Sequence, residues 1–228
     1  MEGNELVVKK GSLVFWFIAI AVLLIVVFLF VLSPKSSSTD VGIFTSNPSL
    51  YPSLGPDNAQ NVVIEFSDFQ CPICGMASGL PSWDSQYAST KGNGLAGQIE
   101  QAAQQGKVKF IFVPMSFLGQ GSIYATEAAL CANEQGKFWE MHDAIYSNQV
   151  PPAQEGVQFT KQQLEIMAGA ITGLNQTEFS SCLESDSYSP SVQQINTAAS
   201  NAGIKGTPTF IVNGKVLSDW TSASSVLG

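Results

Sequence analysis

From Leu13 to Leu32 the chain reads LVFWFIAIAVLLIVVFLFVL, twenty residues with neither a charge nor a polar side chain. A helix of about 20 residues spans roughly 30 Å, the thickness of a bilayer's hydrocarbon core. Beyond it the apolar positions fall into short periodic groups. Asn61–Phe66 (NVVIEF) and Lys107–Met115 (KVKFIFVPM) read as buried strands. Ser122–Ser147 reads as helix, broken near Gly136. Thr160 opens a further helix through a capping box with Gln163, which Gly173 closes. Asn175–Leu183 makes a short helix, and Ser189-Pro190 starts another that stops at Gly203. Thr207–Leu217 (TPTFIVNGKVL) holds two strands around the two-residue turn Asn213-Gly214, a hairpin signal. A short terminal helix follows. The order predicts a mixed α/β domain with a helical block inserted at about 120–200.

These patterns divide the 228 residues into a tail (1–12), a transmembrane helix (13–32), a flexible Ser-, Pro-, Gly- and Asn-rich linker (33–60) and one folded domain (61–228). A cleaved signal peptide has an apolar core of about 7–15 residues and a small-x-small cleavage site. Here the run is longer and SPKSSSTD follows it, so a retained anchor is expected. Lys9 and Lys10 before the span against Lys35 after it place the tail in the cytoplasm and the domain outside, in a compartment where disulfides persist. Ten lysines, no arginine and 18 acidic residues give a net charge of −8, which argues against nucleic acid as a partner.

Cys71 and Cys74 lie in FSDFQCPICG, after the strand Asn61–Phe66. Pro72 suits the first position of a helix, because its missing N–H would be unpaired there anyway. Cys71 is thereby placed at the helix N-cap, exposed, with Cys74 one turn later on the same face. A zinc site needs four ligands, and Cys131, Cys182 and His142 are not paired with this motif at short range, so no metal is expected. As a staple the pair would close a very short loop and remove only about 2 kcal/mol of unfolded-state entropy; bridging Cys131 to Cys182 would remove about 4 kcal/mol. The long pair suits structure, the alternative being two buried thiols. The tight pair suits exchange. At a helix N-terminus the Cys71 thiolate is favoured by unpaired amides and the dipole, which makes it a good leaving group and the pair a better electron acceptor.

The same residues carry a resemblance. VVIEFSDFQCPICG, AALCANEQGKFWEMHDAIYSNQ (Ala128–Gln149) and GIKGTPTFIVNGK (Gly203–Lys215) stand in the order found in DsbA-type thiol-disulfide oxidoreductases, and the chain resembles that family over about residues 54–228. The resemblance implies a thioredoxin-like fold with an inserted helical subdomain and no cofactor. It implies Cys71 as nucleophile, Cys74 as resolving thiol, and Glu65 as a buried acid that relays the Cys74 proton. Glu65 could otherwise be a solvent-facing alternate position of its strand. Thr207 and Pro208 would form a cis-proline loop facing substrate, with Pro72 and Ile73 completing the substrate-facing set. Partners implied are exported proteins with free cysteines and a membrane reoxidant of the DsbB or VKOR type. Ile73 is a departure, because strong oxidants of the family often carry a histidine between the cysteines. Within the class a reductase or isomerase is the rival reading; outside it, a non-catalytic holdase. His142 and Trp139 share a helix face with Phe138, Met141 and Ile145 and read as core.

Overall fold

The computed structural model describes residues 16–24, 41–152 and 158–228. It divides into two units, Met1–Ser37 and Ser38–Gly228. In the first, residues 16–24 are helical. The expected tail and the rest of the expected span lie outside the described residues, and no helix among those described is long and apolar enough to cross a membrane.

The second unit is built on a five-stranded sheet in the order β1-β3-β2-β4-β5, where β1 is Ser53–Leu54, β2 Val62–Asp68, β3 Lys109–Met115, β4 Thr209–Val212 and β5 Lys215–Val216. Central β2 runs parallel to β3, with Glu65 opposite Phe112, and antiparallel to β4, with Glu65 opposite Phe210. The period-2 rule sorts β2 by face. Ile64 and Phe66 join Phe44, Leu50, Tyr51, Ile111, Val113, Ile211 and Ile195 in one core layer. Val63 joins Phe110, Phe112, Phe210, Phe69 and Cys74 in the other. Both faces are covered, which is why NVVIEF shows no solvent-facing alternation. Glu65 and Ser67 share the Val63 face, so two polar side chains point into an apolar layer.

The segment 33–60 corrects one expectation. From residue 41 it is not a tether: Gly42–Thr45 is helical, Phe44 and Tyr51 are buried, and β1 pairs antiparallel with β3. Its Pro, Ser and Gly residues make turns that lay three large apolar side chains on the sheet, and burial of these outweighs the flexible composition.

Among the described residues five helices separate β3 from β4: α4 (Gln120–Asn133), α5 (Phe138–Ser147), α6 (Lys161–Gly169), α7 (Gln176–Glu184) and α8 (Ser189–Asn201), after α1 (Gly42–Thr45), α2 (Pro72–Ser78) and α3 (Leu95–Gln104). Gly136, at φ +67°, separates α4 from α5. Thr160 and Gln163 form the reciprocal capping box of α6. That helix ends at Gly169, earlier than expected, and Gly173 turns the chain beyond it. Asn213 and Gly214 both have positive φ, as a two-residue type I′ hairpin requires. Cys131 of α4 is bonded to Cys182 of α7.

Candidate active site

Strand β2 ends at Asp68, and the next turn delivers Cys71 to the N-cap of α2, with Pro72 at its first position. Cys71 adopts extended backbone angles, and its carbonyl accepts the first helical bond from Gly75 N–H at 3.0 Å. Neither active-site cysteine is in a disulfide. Cys71 is less open than its place at a helix start suggests: it is 7 % exposed, because the loop before β4 lies over it, and Cys74 is fully buried. The Cys71 thiol donates to the Thr207 carbonyl at 3.5 Å, and the Thr207–Pro208 peptide is cis. Pro72 and Ile73 border an apolar pocket of about 170 Å³ with Met76, Trp83, Tyr87 and Pro152. Ile73 is half exposed and offers the sulfur no side-chain hydrogen bond.

The environment drives the two sulfurs apart. The Cys74 thiol, hydrogen-bonded to the Cys71 sulfur, holds the Cys71 pKa down to about 6 against the opposing effect of burial. The backbone amides of Cys74 and Ile73 and the Thr207 side chain act in the same direction. Burial pushes Cys74 well above the usual thiol value, and the neighbouring Cys71 adds to the rise. At neutral pH Cys71 is the thiolate and Cys74 the thiol.

Behind Cys74 the apolar layer encloses a polar pair. Glu65 is 2 % exposed and accepts a 2.8 Å hydrogen bond from Ser67 Oγ. Burial raises its pKa to about 7, although the Ser67 bond and nearby His142 pull the other way. The solvent-facing alternative for Glu65 is thus excluded. His142 lies among the rings of Phe112, Tyr146, Trp139 and Phe69, its Nδ1 2.8 Å from Asp143 Oδ1, a packed histidine as its helix face suggests.

Three residues that hold this geometry went unmarked in the sequence. Buried Asp68 accepts hydrogen bonds from Gln70 N–H (2.8 Å), Ser122 Oγ (2.6 Å), Phe117 N–H (3.0 Å) and Leu118 N–H (3.3 Å), fixing the exposed pair Phe117 and Leu118. Gln149, just beyond α5, donates from Nε2 to the carbonyls of Phe69 (2.9 Å) and Cys71 (3.0 Å), while Trp83 Nε1 donates to its carbonyl at 2.8 Å. A Cβ at Gly75 would overlap Gln149 Oε1, so that position must be glycine for the amide to reach the cysteine loop. Ser67 is the third. Ser67 and Asp68 lie past Phe66, where the sequence reading ends the strand, although β2 runs on to Asp68, and Gln149 carried no local signal either.

Comparison with known proteins agrees with this architecture. The family described as thioredoxin matches residues 88–227, a stretch that begins after the cysteine pair. Disulfide bond formation protein D of Bacillus subtilis is 26 % identical over 179 residues, covering 77 % of this chain and 73 % of that protein. The crystal structure of oxidised BdbD from the same organism superposes with a TM-score of 0.60 at 24 % identity, over 79 % of this chain and 92 % of that one. Reduced DsbA from Mycobacterium tuberculosis gives 0.57 at 20 %, over 78 % and 93 %. At these identities the two structures speak for the fold.

Proposed function

The chain belongs to the thioredoxin family, and on that premise we propose that it is an extracytoplasmic oxidase that passes the disulfide of Cys71-Pro72-Ile73-Cys74 to exported proteins. It is a DsbA-type thiol-disulfide oxidoreductase; the direction, the compartment and the partners are the proposal. The observation that carries the direction is the separation of the two thiols, Cys71 lowered to about 6 and Cys74 raised. A stabilised Cys71 thiolate stabilises the reduced form and makes the disulfide the better electron acceptor.

In the forward reaction a substrate thiolate attacks Cys71 Sγ of the disulfide, and Cys74 departs and takes up a proton. A second substrate thiolate then attacks the substrate sulfur of the mixed disulfide. The new substrate disulfide leaves, and Cys71 is released as thiolate. Two electrons pass from the substrate to the enzyme. A membrane reoxidant of DsbB or VKOR type would return the pair to the disulfide. The Leu13–Leu32 run would hold the enzyme beside it, and the Thr207–Pro208 loop over Cys71 would position the substrate backbone.

The reduction potential of the pair tests the direction. An oxidase gives a value near or above about −180 mV, whereas a potential near about −270 mV makes the protein a reductase. Binding of unfolded chains with both cysteines inert would make it a holdase.

A further inference from the structure

The mechanism requires a proton at Cys74 each time that sulfur leaves, and removes one each time it attacks. Cys74 is fully buried and Glu65 nearly so, and bound substrate would close the Cys71 side. The proton must therefore move through groups already in place. Ser67 Oγ lies 2.8 Å from Glu65 Oε1 and 2.8 Å from Tyr146 Oη, and its hydroxyl favours the Cys74 thiolate against the effect of burial. It is fully buried, so water does not compete for it.

The donor count at this hydroxyl decides what it does. A serine has one proton to give and two lone pairs. Among the described residues Tyr146 Oη bonds only to Ser67, and because Ser67 gives its single proton to Glu65 the phenol is the donor in that pair. One lone pair of Ser67 is thereby permanently taken. The Ser67 proton then has two places to point, Glu65 or Cys74. We propose that Ser67 is a two-position proton relay between Cys74 and Glu65, held to those two positions by the Tyr146 hydroxyl. In the mixed disulfide, where Cys71 is bonded to its partner and no longer accepts from Cys74, Ser67 donates to ionised Glu65 and accepts from the Cys74 S–H. As Cys74 attacks, its proton passes to Ser67 Oγ and the Ser67 proton passes to Glu65 Oε1. When Cys74 leaves as thiolate the chain runs in reverse. No heavy atom has to move, and each group ends with its proper number of protons. Besides Ser67, the ionisable groups facing this centre are His142 and Tyr146 of α5, Glu100 of α3, and Cys71.

This inference rests on the exchange chemistry proposed above, and its test separates the two. Full-length protein is reduced and mixed rapidly with oxidised glutathione. Formation of the Cys71–glutathione adduct and its resolution by Cys74 are followed as separate phases across pH 5–9. In wild type the resolving phase should inflect near the pKa of Glu65. In Ser67→Ala, adduct formation should keep its rate and pH profile, while resolution slows by ~10²-fold and loses that inflection. Ser67→Thr, which restores a hydroxyl, should recover most of the rate. Tyr146→Phe frees a lone pair on Ser67 and should give a smaller loss with the inflection retained. Resolution in Ser67→Ala with the wild-type rate and pH profile would overturn the relay. So would equal slowing of both phases, the mark of a distorted site. Wild-type protein that forms no adduct at all would instead refute the exchange reading.

Discussion

The Cys71 thiol donates to the Thr207 carbonyl across 136 positions of sequence. The N-terminus of α2 and the loop entering β4 thus meet at one sulfur. That contact leaves Cys71 only a narrow opening, so what reaches the sulfur must pass the loop. It also places the thiolate beside the backbone that would pair with an extended substrate.

If Cys71 alone takes the intermolecular bond, Cys71→Ser abolishes exchange, and Cys74→Ser accumulates a reductant-sensitive covalent adduct with substrate. Gel electrophoresis without reductant reads both. Adducts in Cys71→Ser and none in Cys74→Ser would reverse the assignment of the sulfurs.

Alkylation of reduced protein should follow the Cys71 thiolate and rise with a midpoint near pH 6, compared with an ordinary thiol value of 9.0. Because the folded pKa is depressed, thiolate stabilisation of the reduced form is complete above the ordinary value and is lost as pH falls through about 6. The oxidised form has no such group. The potential should therefore change by roughly 59 mV per pH unit below the midpoint and roughly 30 mV above it, one proton fewer being taken up. An unbroken slope would deny Cys71 its low pKa.

Glu65 has the opposite sign. Its folded pKa is raised from 4.5 to about 7, so its contribution is favourable below 4.5 and is lost as pH rises through about 7. Glu65→Gln should then unfold at higher denaturant than wild type at pH 8, by about 1–3 kcal/mol, and lose that advantage at pH 4. Equal stability of the two proteins at pH 8 would show that the carboxylate is not penalised by burial.

Gln149→Ala removes two hydrogen bonds from the cysteine loop, leaving the Phe69 and Cys71 carbonyls unpaired at a cost of about 1–3 kcal/mol. Gly75→Ala should have a similar effect by displacing the same amide. Because the two changes act on one contact, the double variant should lose much less than their sum. A double-mutant cycle measured by urea unfolding checks this; additivity would separate the two residues.

The Cys131–Cys182 bond spans 51 positions, a loop worth about 4 kcal/mol in unfolded-state entropy. Unfolding the mildly reduced protein should expose two thiols to a counting reagent, and Cys131→Ala with Cys182→Ala should unfold several kcal/mol sooner. Four thiols without further reductant would show that the bond does not form.

β2, β3, the hairpin and the inserted helices were legible in the chain from short apolar runs, caps and turn residues, whereas β1 and α3 were not read there. Cys71, Pro72 and Cys74 were legible because their helix-start geometry follows from local rules. Glu65 and Pro208 were legible through resemblance to a family. The packing of 41–60 was not, since composition describes how a free segment behaves and not what three well-placed apolar side chains gain on a sheet. Gln149 and Ser67 escaped for a related reason. Their roles depend on partners 78 and 79 positions away, Cys71 and Tyr146, which no local pattern encodes.

Both outer strands of the sheet, β1 and β5, are two residues long, and β5 carries Lys215 at its exposed end. A protein that handles unfolded chains meets the hazard of being recruited into their aggregates through an open strand edge. Here each rim gives a visiting chain too few backbone groups to zip onto, and the lysine repels a close neighbour of like charge. On the proposed function, extended clients would thereby be turned away from the margins. The backbone beside the sulfur would be left as the place to dock, so that contact with a client and readiness to react would coincide.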